Sequence, residues 1–111
     1  MMVVTEQIVA EIVQAIVDAI DPERIYLFGS RARGGARPDS DVDLLIVEQE
    51  PFGPHRSRWQ ELARIRRALT AFRVPKDILV YSQDEIDKWQ HAVNHIVSRG
   101  VREGKLLYER P

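Results

Sequence analysis

The chain has 111 residues, and 16 Lys+Arg against 17 Asp+Glu give a formal charge of −1. That length allows one domain spanning 1–111, and the near neutrality argues against a protein that holds nucleic acid by bulk electrostatics. With 44% hydrophobic and 30% charged residues, and no cysteine, a real core is expected, while disulfide scaffolds, thiolate zinc sites and thiol nucleophiles are excluded.

Ile8, Val9, Ile12, Val13, Ile16, Val17 and Ile20 fall on one broad helical face, with Thr5 as a cap and Asp21-Pro22 as the stop. Arg24 to Phe28 reads as a short strand closed by Gly29. Ser30 to Gly35 has room for one helical turn, with Ser30 expected at its cap. Val42 to Glu48 is a second strand, and its unbroken Leu44-Leu45-Ile46-Val47 implies burial on both faces.

After the breaks at Pro51, Gly53 and Pro54, Ser57 and Gln60 suggest a capping box. The helix they open carries Trp59, Leu62, Ile65, Leu69 and Phe72 as far as Val74-Pro75. Asp77 to Tyr81 is a third strand. A second capping box, Ser82 with Glu85, opens a helix expected to carry Ile86, Trp89, Val93 and Val97, with Gly100 and Gly104 loosening its end. Lys105 to Glu109 can add a closing strand. This order predicts an α/β protein, a small mixed sheet flanked by helices.

Between Phe52 and Lys76 there are six arginines and one lysine against the single acid Glu61. Such a helix is either a solvated face or a docking surface for an acidic partner or for phosphates. Trp59 and Trp89 sit at core spacings and read as packing residues. His91 and His95 stand four apart on the expected last helix, but a third ligand is missing locally, so a solvated or partner-facing pair is the better reading. His55 reads as a loop residue.

Asp41 and Asp43 alternate at a strand's mouth, so their carboxylates share a face roughly 6 to 7 Å apart. That suits a hard cation such as Mg²⁺, which takes one or two protein carboxylates and completes its shell with water and phosphate. Gly29 lets a phosphate approach the backbone, and Ser30 offers a hydroxyl and N–H groups; Arg31 and Arg33 can add positive charge. Asp77, opening a neighbouring strand, can supply a third carboxylate. Asp39, Asp41, Asp43 and Glu50 also match four positions of an EF-hand loop, but Leu44 stands where that loop needs glycine. A P-loop fails too, because Gly35 and Ala36 occupy the Lys and Ser/Thr places.

Gly29-Ser30, ten intervening residues, then Asp41-Val42-Asp43 resembles the signature of the DNA polymerase β-like nucleotidyltransferases. The wider string GSRARGGARPDSDVDLLIV is similar to the minimal nucleotidyltransferase family, small proteins usually paired with a HEPN-domain partner in toxin–antitoxin modules. The resemblance implies a polymerase β palm-like fold. It also implies Mg²⁺ on Asp41, Asp43 and Asp77, and nucleotide phosphates on Gly29 and Ser30. Two ions about 4 Å apart can clamp the attacking and leaving oxygens of an in-line displacement.

The implied reaction moves AMP from ATP to a hydroxyl, expected to be a tyrosine, on a HEPN-type ribonuclease toxin that the chain silences within a hetero-oligomer. Two alternatives stay open: an antitoxin acting by occlusion alone, and a transferase for a small molecule such as an antibiotic. No run approaches the roughly 20 apolar residues of a membrane span, and Glu6 and Glu11 interrupt any leader-like stretch. A cytoplasmic protein with no membrane and no direct nucleic-acid partner is expected.

Overall fold

The computed structural model describes residues 4–32, 34, 40–92 and 95–111. Helix α1 (Glu6–Ile20) starts at Thr5, whose hydroxyl accepts the Ile8 N–H at 3.1 Å. It stops at Asp21, which takes a left-handed conformation (φ 46°) directly before the buried Pro22. Strand β1 (Arg24–Phe28) follows, then a 3₁₀ turn at Gly29–Arg31, and strand β2 (Val42–Glu48). The turn's cap is Phe28 rather than the expected Ser30, so Ser30 lies inside the turn. Gly35 lies outside the described residues.

Helix α2 (Arg58–Ala68) is capped by Ser57, whose hydroxyl accepts the Gln60 N–H at 3.3 Å. It ends well before Val74-Pro75: Leu69 and Phe72 still pack on the core, but from the turns that carry the chain to strand β3 (Lys76–Ser82). The Ser82–Glu85 capping box forms and opens helix α3 (Gln83–Trp89). Helix α4 (Ile96–Glu103) and strand β4 (Lys105–Glu109) complete the order.

The sheet runs β3-β2-β1-β4. β1 lies antiparallel to both β2 and β4, while β2 and β3 are parallel and joined by the α2 crossover. A mixed four-stranded sheet results, with helices on both faces. The period-two alternation of β2 divides its side chains: Val42, Leu44 and Ile46 join the core under α1 and α2, and Leu45 and Val47 join Ile86 and Val97 under α3 and α4. The continuous apolar run of β2 is therefore buried on both sides, as its sequence predicts.

Three expectations are corrected. The final helix is two helices. The chain turns after Trp89, and His95 caps α4 by accepting the Val97 N–H on Nδ1 at 3.1 Å while its ring stacks on Trp89 at 4.6 Å. His91 and His95 therefore do not share a helix face; Val93 lies outside the described residues. Trp59 is 75% exposed. The buried stripe of α2 is Glu61, Leu62 and Ile65, and Phe52, with the Arg56 and Arg58 guanidiniums at 4.4 and 4.7 Å over its ring, fills the space by the helix's start.

Gly100 and Gly104 do not loosen an end. Gly100 is buried within α4, where a Cβ would come within 2.9 Å of Leu45 Cδ2, and a Cβ on Gly104 would meet the Gly100 carbonyl oxygen at 2.1 Å. Small residues let α4 lie directly on the sheet.

Candidate active site

The residues singled out by the sequence gather where β1 ends and β2 and β3 begin. Phe28 pairs with Asp43 across the antiparallel β1–β2 ladder, so Gly29 emerges beside the Asp43 side chain. Gly29 has φ +73°, a conformation that side chains with a Cβ rarely adopt. A Cβ there would also stand 2.3 Å from Asp43 Oδ2 and 3.2 Å from its Cγ. The missing side chain of Gly29 thus makes a cradle that the Asp43 carboxylate occupies.

On the other side, Asp43 pairs with Asp77 in the parallel β2–β3 register. By strand alternation Asp41, Asp43 and Asp77 share the sheet face toward α3 and α4. Asp43 is half-buried, and Asp41 and Asp77 are exposed. Among the described residues no group of three His, Asp or Glu side chains closes on one point as a metal-holding set. Asp41 and Asp43, with the Gly29 cradle beside them, have the sparse oxygen chemistry that Mg²⁺ accepts when a substrate's phosphates supply the remaining ligands.

Arg31 does something the sequence did not suggest. Its Nε and Nη2 both donate to the Ser40 carbonyl oxygen, at 3.1 and 2.7 Å, so the guanidinium clasps the two ends of the loop between the glycine-serine element and Asp41. Ser30 is half-buried inside the 3₁₀ turn. Arg33 lies outside the described residues.

Two grooves border this end of the sheet. One of about 240 Å³ lies between Phe28-Gly29 and α4, where Ile96, Arg99 and Glu103 line it. The other, about 410 Å³, reaches Asp77 from α2 and is lined by Arg66, Thr70, Lys76 and Ile78 among others. A larger groove of about 660 Å³ between α1 and β4 touches, among the described residues of the site's loop, Arg31 and Gly34.

The opposite end of β2 carries a charged cluster that sequence reading missed. Glu48 and Glu61 are 4% and 7% exposed, and Arg56 Nη2 donates to both, at 2.9 and 2.8 Å. Burial, then a hydrogen bond to Glu61 and its charge, push the Glu48 carboxyl up to about 8 against the pull of Arg56. No periodicity marks Glu48, because it simply ends an apolar run. Nearby, burial raises the Glu85 carboxyl, but bonds from Arg58 and from the Ser82 N–H outweigh it and hold the group below its ordinary value.

A family model for the nucleotidyltransferase domain matches residues 7–103. The chain belongs to the nucleotidyltransferase domain family. A candidate nucleotidyltransferase from Sulfolobus solfataricus is 25% identical with a TM-score of 0.65, over 94% of this chain and 79% of that one. A toxin–antitoxin structure with AMP-PNP is 20% identical (TM-score 0.54, 91% and 73% covered). A mutant of the MntA-HpeT toxin–antitoxin pair is 19% identical (TM-score 0.52, 90% and 71% covered). These last two share the fold. No curated protein sequence matches the chain. Among the described residues no helix is long and apolar enough to cross a membrane.

Proposed function

We propose that this chain is an antitoxin that transfers AMP from ATP to a hydroxyl, expected to be a tyrosine, on a HEPN-domain toxin in the cytoplasm, and so silences it. The observation that carries the reading is the Gly29 cradle: a backbone position kept free of a Cβ, with the Asp43 carboxylate in the vacated space and Asp77 next in register. A structural acid pair at a strand's mouth has no need of that fit. The names of two structural neighbours, a toxin–antitoxin with AMP-PNP and an MntA-HpeT pair, support the partner and nucleotide classes.

In this reading Asp41 and Asp43 hold Mg²⁺, two ions when Asp77 joins them, and bound metal would neutralise charge on the triphosphate as the displacement proceeds. Gly29 and Ser30 receive the phosphates, and Arg31 orders the loop beside them, with Arg33 adding charge. The acceptor hydroxyl oxygen forms a bond to the α-phosphorus and the bond from that phosphorus to the bridging oxygen breaks. Pyrophosphate leaves with the electron pair. Asp77 takes the hydroxyl proton and releases it to water.

The test is transfer of label from α-phosphate-labelled ATP to the co-expressed product of the neighbouring gene, with Mg²⁺. Label is expected on the partner with the wild type and none with Asp41→Asn or Asp43→Asn. An unlabelled but still inhibited partner would establish occlusion instead, and label on an aminoglycoside but not on protein would establish a small-molecule transferase.

A further inference from the structure

The arginine-rich segment is not uniformly a solvated face. Arg56, Arg58 and Arg64 are tied to other groups of the chain: Arg56 by Glu48, Glu50 and Glu61, Arg58 by Glu85, and the more exposed Arg64 by Glu61 and the Ala19 carbonyl. Arg66, Arg67 and Arg73 are exposed and make no ion pair among the described residues. Trp59 lies on the same outward stripe of α2 as Arg66, because seven residues are nearly two turns. It is 75% exposed, far above what a tryptophan shows when it serves the core.

This stripe does not stop at the helix. Arg66 also lines the groove of about 410 Å³ that passes Thr70 and Lys76 and ends at Asp77, on the edge strand β3. Lys76 is fixed there by donating to the Phe72 and Val74 carbonyls at 2.7 and 3.1 Å. A basic track with an aromatic anchor thus runs along the α2 side of the sheet to the edge strand.

We infer that the outer face of α2, Trp59 with Arg66 and Arg67, together with Arg73 in the segment that follows the helix, is the docking surface for the acceptor protein, which presents an acidic segment to it. The inference rests on the reading above and adds the surface and its chemistry. Trp and Arg are the residue types that carry most binding energy at protein interfaces. A net acidic occupant is required by charge: three uncompensated guanidiniums favour carboxylates on the opposing face and reject basic ones. Glu61, the one acid on α2, is buried and already paired, so the outer face of the helix carries positive charge alone.

The experiment compares the wild type with the Trp59→Ala/Arg66→Glu/Arg67→Glu variant. The full chain and the purified product of the neighbouring gene are used, with binding read by calorimetry at low and high salt and label transfer read in parallel. Thermal melting and Mg·ATP binding monitor the fold and the nucleotide site. The expected result is a loss of partner affinity of roughly 100-fold or more, a wild-type affinity that weakens with salt, and unchanged melting and Mg·ATP binding. A variant that binds and labels the partner like the wild type overturns the surface and leaves the transferase reading standing. A wild type that neither binds nor labels the partner overturns both. A wild type whose α2 face takes up a single-stranded RNA oligonucleotide while partner binding is undisturbed assigns the face to nucleic acid and also overturns the inference.

Discussion

Replacing Glu48 by glutamine tests the buried cluster at the far end of β2. In the folded protein the Glu48 carboxyl is pushed up to about 8, whereas its ordinary value is 4.5. Its Oε2 is buried without a hydrogen-bond partner among the described residues, and a proton there can be donated to Glu61. Between pH 4.5 and 8 the folded state therefore holds a proton that the unfolded chain has released. The stabilisation is complete below the unfolded value and is lost as the pH rises through the folded one. Each unit of displacement corresponds to about 1.4 kcal/mol, so the loss between 4.5 and 8 is on the order of 5 kcal/mol. Glutamine keeps the shape and a donor toward Glu61 without titrating. Urea unfolding from pH 5 to pH 9 should show the two proteins close at pH 5 and Glu48→Gln pulling ahead as the pH rises. A stability difference that stays constant over that range would refute the shared-proton account.

Glu85→Ala should lose about 1 kcal/mol at pH 7 by removing the capping-box acceptor and the Arg58 pair. The contribution of Glu85 is present above its ordinary value and disappears as the pH falls through its lowered one, so the mutant and wild type should converge in acid melts. Gly29→Ala should cost about 1–3 kcal/mol from the positive φ alone and should abolish Mg·ATP binding, because the new methyl displaces the Asp43 carboxylate; retained binding by calorimetry would contradict the cradle. Gly104→Ala should destabilise more than Gly100→Ala, since one Cβ meets a backbone oxygen and the other the end of a leucine side chain, a ranking that thermal melts check directly. Asp43→Asn should melt as a folded protein yet lose the rise in Tm that Mg·ATP gives the wild type.

Much of this architecture is legible in the residues. Apolar spacing places α1 and the body of α2, and the unbroken run in β2 announces a strand covered on both faces. The Ser82–Glu85 pair marks the start of α3 to the residue. What periodicity does not convey is where a helix must turn: Ile86, Trp89 and Val97 fit one helical repeat, yet they belong to two helices, with His95 capping the second and stacking on Trp89. Nor does it distinguish the apolar residue at the start of α2 from the core, because Phe52, from outside the helix, takes the place beside it. At the site, spacing alone puts Asp41 and Asp43 on one face, but the intimate fit of Gly29 and Asp43 and the clasp of Arg31 on Ser40 depend on tertiary register.

That clasp has a consequence for how the loop can change. Arg31 joins Ser40 on the threshold of β2, and closing a chain at both ends makes its length inexpensive: doubling a flexible loop costs only about 0.6 kcal/mol. The two clasped residues therefore keep the start of β2 fixed to the 3₁₀ turn, whatever the length of chain that joins them. Specificity could be rebuilt there, by grafting a different loop between Arg31 and Ser40, without redesigning the strands that hold the carboxylates.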